Sequence, residues 1–209
     1  MTTLSHILEH KIVAIIRGAN PDDVLKIARA LHEGGIRTLE VTLNSPDALA
    51  VVKDLSVKMW KELLIGMGTV LDPASAKEAI LAGAKFIVSP SFHSETIQAT
   101  KKLGAISIPG AYTPTEIVNA WNSGGDIIKI FPASANVNYI REIRAPLSHI
   151  PLMPTGGVTL ENIGEFKKAG AVAFGIGTAL VNTKEKITEE YLKRLTERAQ
   201  QFVQAVSTT

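Results

Sequence analysis

The chain has 209 residues, with 22 Lys and Arg against 20 Asp and Glu interspersed along it, for a formal net charge of +2. No basic stripe with interleaved aromatics appears, which argues against nucleic acid as a partner. The absence of cysteine excludes disulfides and thiolate metal sites and fits a reducing compartment. The longest apolar run, Ala171 to Val181, is too short to span a bilayer, and the N-terminus lacks a secretory pattern, so a soluble cytoplasmic protein without a membrane partner is expected. Hydrophobic residues make up 45% of the chain, enough for a sizeable core.

In chain order, residues 2–10 read as a short lead-in helix and Ile12–Arg17 as a strand ending at Gly18. Asn20-Pro21-Asp22-Asp23 then supplies an N-cap, a proline at the first helical position and first-turn acids, with Val24, Ile27, Ala28 and Leu31 at helical spacing before Gly34-Gly35. The unit recurs. Thr38–Leu43 is a strand, and Ser45-Pro46-Asp47 opens a helix; Leu63–Met67 is a strand, and Asp72-Pro73 opens a helix ending near Gly83. Phe86–Ser89 is followed by a helix to about Leu103, and Ile106–Pro109 by the capping box Thr113-Pro114-Thr115-Glu116. Asp126–Phe131 is the sixth strand; Pro151–Met153 is the seventh, with its helix from Thr159; Ala171–Ile176 is the eighth, before a last helix from about Thr188 to Val206. Eight short, apolar, β-branched strands, each followed by a helical stretch, predict one small (β/α)8 TIM barrel domain over residues 1–209, in the α/β class. A doubly wound open sheet would not need eight regular units.

Catalytic groups of such barrels stand at the C-terminal ends of strands. Arg17 closes strand 1; Glu40 lies in strand 2 on one face with Thr38, Thr42 and Asn44; Thr69 follows strand 3; Lys129 interrupts the apolar strand 6; Thr155 follows strand 7. Lys129 has two readings. On a strand edge it reaches water; if buried, its amine loses its charge and becomes a nucleophile for carbonyl carbon. An acid and a base at the same barrel mouth favour a site. Lys11 and Lys85 precede their strands and read as solvated. The turns Pro154-Thr155-Gly156-Gly157 and Gly175-Ile176-Gly177-Thr178 follow strands 7 and 8, where this fold binds phosphate on backbone N–H groups. Metal catalysis is disfavoured: the five histidines are scattered, only His6 and His10 are spaced i, i+4, and His93 is a loop residue.

The segments VAIIRG, GGIRTLEVTLNSP, IGMGTVLDP, FIVSPSF, IPGAYTPTE, IKIFPASA, PTGGVTLEN and GIGTAL, in that order and spacing, resemble the class I aldolases acting on 2-keto-3-deoxy-6-phosphogluconate and 4-hydroxy-2-oxoglutarate, the KDPG/KHG aldolase family. The resemblance implies that Lys129 forms the Schiff base and Glu40 is the general acid/base. It further implies that Thr69 helps hold the pyruvoyl carboxylate, with Arg17 as the available cation, since Asn44 stands where many members carry arginine. Gly156, Gly157 and Thr178 would bind phosphate, with Thr155, Gly177 and Pro90 also on the substrate. No cofactor or metal is implied; the partners would be pyruvate, a phosphorylated 2-keto-3-deoxy sugar acid and two further copies in a homotrimer. Asn44-Ser45-Pro46 resembles the branch acting on the galactonate epimer, whereas Pro154-Thr155-Gly156-Gly157 resembles the gluconate branch. Two other readings remain: a phosphate-binding isomerase or synthase without a covalent intermediate, and a non-catalytic phospholigand-binding barrel.

Overall fold

Parallel strands covered by helices must be apolar on both faces, and here the two faces sort by residue parity. Ile12, Ala14 and Ile16, Leu39 and Val41, Ile65 and Met67, Ile128 and Ile130, and Phe174 and Ile176 belong to one large cluster packed against helices. Val13, Phe86, Val88, Ile108, Ile127, Met153 and Ala173 form a second, inner cluster. The structure is a computed structural model that describes residues 2–133 and 137–207; the Ser134-Ala135 end of the IKIFPASA segment lies outside the described residues.

The lead-in helix α1 (Thr3–His10) is N-capped by Thr2, whose side chain accepts from the Ser5 N–H, and it ends at Lys11 with φ +62°. Its Ile7 is fully buried in the inner cluster, so α1 covers the end of the molecule at which the strands begin. Strands and helices then alternate: β1 (Ile12–Ile16), α2 (Pro21–Glu33), β2 (Thr38–Thr42), α3 (Ala48–Lys58), β3 (Leu64–Gly68), α4 (Pro73–Leu81), β4 (Phe86–Val88) and α5 (Ser94–Lys102). The fifth strand, expected over Ile106–Pro109, is β5 (Ile106–Ile108); after Pro109, which has no N–H to donate, a further short strand β6 (Gly110–Ala111) follows. α6 (Pro114–Asn122), β7 (Ile128–Ile130), α7 (Val137–Arg144), β8 (Leu152–Pro154), α8 (Ile163–Lys168), β9 (Phe174–Ile176) and α9 (Glu189–Ser207) follow.

The caps read from sequence at Asn20, Asp72 and Thr113 each accept the expected backbone N–H, and Thr113 with Glu116 makes the full capping box. Two helix starts differ from expectation. Ser45 first closes a turn, its N–H on the Thr42 carbonyl and its hydroxyl accepting from the Gly18 N–H at 2.8 Å, so α3 begins only at Ala48. The Asn162 carboxamide accepts from the Thr159 N–H and donates to the Gly157 carbonyl, both at 2.8 Å; this holds residues 159–162 in a turn and delays α8 to Ile163.

Among the described residues all strand pairings are parallel, in one six-stranded sheet ordered β5-β4-β3-β2-β1-β9 and one three-stranded sheet ordered β6-β7-β8. Hydrogen bonds link the sheets on both sides: Asp126 N–H, just before β7, to the Ser107 carbonyl of β5 at 2.8 Å on one, Val172 N–H to the Leu152 carbonyl at 3.0 Å and a Thr155–Gly175 bridge on the other. The architecture is a TIM-like α/β fold. Among the described residues no helix is long and apolar enough to cross a membrane.

Candidate active site

Lys129 occupies the middle of β7, flanked by Ile128 and Ile130 on the helix-covered face. Alternation therefore turns its side chain to the inner face with Ile127. It is 3% exposed, and its Nζ lies 4.9 Å from the centre of the Phe131 ring. The reading of Lys129 as an edge lysine reaching water is thus not realised. Burial is the first cause holding its amine below the ordinary lysine value; Glu40 opposes the shift and Arg17 adds to it by like-charge repulsion.

Glu40, in the middle of β2, is fully buried on the same inner face between Thr38 and Thr42. Neither carboxylate oxygen has a hydrogen-bond partner among the described residues. Burial raises its carboxyl above the usual carboxylate range, against the pull of Lys129 first and Arg17 second. Room for this carboxylate comes from Gly68 on the neighbouring strand: a Cβ there would stand 1.7 Å from Glu40 Oε1. Gly175 makes space for Thr155 in the same way, a Cβ falling 2.3 Å from its Oγ1.

At the C-terminal ends of the strands a cavity of about 870 Å³ opens. Of the sequence-predicted residues, Arg17, Thr69, Pro90, Lys129, Thr155, Gly156, Gly157, Gly177 and Thr178 line its wall. Glu40 and Asn44 do not: Glu40 is buried beneath it, and exposed Asn44 offers its Oδ1 to Arg17 Nη1 at 3.4 Å. Thr69 holds φ +59°, a conformation that side chains rarely adopt, at the step from β3 into its loop. Gly156 and Gly157 have φ +79° and +85°, as a turn presenting successive N–H groups requires. The backbone N–H groups of Gly156, Gly157, Thr178 and Ala179 donate to no backbone carbonyl among the described residues. Two adjacent turns thus bring backbone donors with no backbone acceptor to the wall of one cavity, an arrangement suited to an anion.

The cavity also draws in residues that sequence reasoning passed over: Ile15, Gly18, Phe131, Val158, Thr159 and the loop Asn182-Thr183-Lys184. Parity in β1 was a usable signal for Ile15, two residues before Arg17. The loop gave none, because polar residues after a strand are ordinary. The residues set aside stay apart: exposed Lys85 and half-buried Lys11 lie at the strand-start end, the His6 and His10 rings meet edge to face at 4.5 Å in α1, and His93 pairs with Thr96 and Glu95. Among the described residues no group of three or more His, Asp or Glu gathers as for a metal ion.

Fold and site define a class: a TIM-like α/β protein with a buried amine, Lys129, on the wall of a cavity suited to bind an anion, and a buried acid, Glu40, off that wall. The family model for KDPG and KHG aldolase matches residues 4–197. The chain is 34% identical to the 2-dehydro-3-deoxy-6-phosphogalactonate aldolase of Escherichia coli strain K12 over 196 residues, 93% of each chain. A native KDPGal structure superposes with a TM-score of 0.88 at 33% identity over 94% of both chains. The KDPG aldolase of Legionella pneumophila, with pyruvate captured at low pH as a covalent carbinolamine intermediate, superposes at 0.84 with 27% identity over 95% of this chain and 97% of that one. The chain belongs to the KDPG and KHG aldolase family, and is thereby a carbon–carbon lyase.

Proposed function

We propose that this chain cleaves 2-keto-3-deoxy-6-phosphogluconate, or its galactonate epimer, to pyruvate and glyceraldehyde 3-phosphate through a Schiff base on Lys129. The observation that carries the proposal is Lys129 itself, buried on the cavity wall with its charged form disfavoured. An ordinary lysine is neutral in only about one molecule in a thousand near pH 7. Desolvation raises that share and so supplies the nucleophile.

The neutral amine adds to the C2 ketone, and loss of water gives an iminium ion. Its nitrogen accepts the electron pair of the C3–C4 bond as the C4 hydroxyl gives up its proton. Glyceraldehyde 3-phosphate leaves, the enamine takes a proton at C3, and water releases pyruvate. Glu40, with both oxygens unpartnered and a carboxyl raised toward neutrality, is suited to carry these protons, directly or through water. The resemblance gives Thr69 and Arg17 to the substrate carboxylate and the turns at Gly156-Gly157 and Gly177-Thr178 to the phosphate; their shared cavity supports that division. Thr155 and Pro90 would contact the sugar chain, and Asn44 would act through Arg17. The polarising charge is the iminium, so no cofactor is invoked.

The finer fold goes with this reading: one closed eight-stranded barrel domain, supported by the hydrogen bonds that join the two sheets on both sides. A cytoplasmic homotrimer is part of it. The apolar groove lined by Pro114, Val118, Ile143 and Leu147 supports an assembly that covers this face. Activity toward 4-hydroxy-2-oxoglutarate is also proposed, since the iminium chemistry does not use the phosphate. Incubation with pyruvate and borohydride tests the central claim. A stable adduct on the Lys129 peptide is expected; absence of an adduct, or its formation on another lysine, would overturn the proposal and leave a non-covalent isomerase or a phospholigand-binding protein.

A further inference from the structure

From the charges on the cavity wall we infer that Lys184 is a specificity-determining residue, the cation that recognises the substrate phosphate. The inference rests on the aldolase reading above. Among the described lining residues the ionisable side chains are Arg17, Lys129 and Lys184, with no carboxylate. The substrate so read brings a carboxylate and a phosphate of about −1.5 to −2 charges. Lys129 is consumed by imine formation. Arg17 leans toward the β2 end, donating to Asn44 Oδ1 at 3.4 Å. That leaves Lys184, on the loop that begins with the Gly177-Thr178 turn.

The loop is held in place at several points. Thr183 Oγ1 donates to the Arg17 carbonyl at 2.7 Å, and the Lys184 N–H donates to Asn182 Oδ1 at 3.2 Å. The nearest acid in sequence, Glu185, is engaged elsewhere: it accepts from Asn182 Nδ2 at 2.9 Å and pairs with Arg194 at 3.0 Å. Lys184 makes no ion pair among the described residues. Its ammonium is therefore free for an incoming anion, and as a point charge on a flexible stem it suits a phosphate already seated on backbone donors.

The test runs the reaction in the condensation direction on the full-length enzyme, with pyruvate and either glyceraldehyde 3-phosphate or glyceraldehyde. In Lys184→Met the KM for glyceraldehyde 3-phosphate should rise about three- to ten-fold, the scale of one partly exposed charge pair with a multivalent anion. Lys184→Arg should recover most of that loss, and added salt should narrow the gap between wild type and Lys184→Met. The KM for glyceraldehyde, and the pyruvate concentration that half-saturates borohydride trapping, should move less than about two-fold in Lys184→Met, because neither involves the phosphate. An unchanged KM for glyceraldehyde 3-phosphate would overturn the inference. So would an equal shift for both aldehydes or for pyruvate, which would assign Lys184 to the carboxylate end or to structure. A wild-type enzyme that traps no pyruvate would sink the aldolase reading first, and this inference with it.

Discussion

Replacing Gly68 by alanine puts a Cβ 1.7 Å from Glu40 Oε1, 2.3 Å from its Cδ and 2.7 Å from its Cγ. To restore an ordinary contact of 3.4 Å the carboxylate must retreat by about 1.7 Å, and a misplacement of about 1 Å in a reacting group can cost on the order of 100-fold in rate. Gly68→Ala is therefore expected to lower kcat for cleavage about 100-fold. The pyruvate adduct should persist, because Lys129 stands on a different strand. Gly66→Ala is the control two residues earlier. Its Cβ meets the Phe86 ring at 2.4 Å, an overpacking expected to cost about 1–3 kcal/mol of stability while the folded enzyme keeps its kcat. Steady-state kinetics beside thermal melts separates the two. A Gly68→Ala enzyme within about three-fold of wild-type kcat, or the same profile for both variants, would refute the assignment of proton transfer to the carboxylate that Gly68 accommodates.

Three further outcomes follow from the same geometry. Lys129→Met should abolish cleavage and the borohydride adduct while the protein still folds, since it replaces a buried amine by a similar apolar chain; circular dichroism with adduct mass spectrometry checks both halves. Burial raises the Glu40 carboxyl above 4.5, so the folded state keeps a proton that the unfolded state loses. The stability tied to that proton is fully present below pH 4.5 and is lost as pH rises through the folded value. Glu40→Gln, neutral throughout, should therefore gain on wild type in urea unfolding between pH 5 and pH 8, and a difference that stays flat or shrinks would count against the shift. Gly157→Ala, at φ +85°, should raise KM for the phosphorylated substrate several-fold with little change in pyruvate trapping; equal effects on both would detach this turn from the phosphate.

Much of the site was legible because its chemistry contradicts its surroundings. Lys129 and Glu40 stand out as the ionisable groups in strands otherwise uncharged, and the paired Gly156-Gly157 after β8 mark a turn that side chains resist. Helix starts at Asn20, Asp72 and Thr113 were equally readable, since a cap is a contact over two or three residues. Less visible were Gly68, whose reason is a carboxylate on another strand, and Lys184, one polar loop residue among several. The start of α8 was misplaced for a similar cause: the Asn162 carboxamide competes with the helix for the backbone at Thr159 and Gly157.

By itself the sequence determined the succession of strands and helices, the faces they bury and the family motifs, because these rest on local spacing and on side-chain type. Only the tertiary structure decided that Lys129 is desolvated more than Glu40 holds its charge, that Asn44 stands off the cavity while steadying Arg17, and that a loop more than 160 residues from Arg17 binds its carbonyl. Burial and electrostatic balance are sums over neighbours from many strands, and parallel strands bring those neighbours together only when the chain has folded.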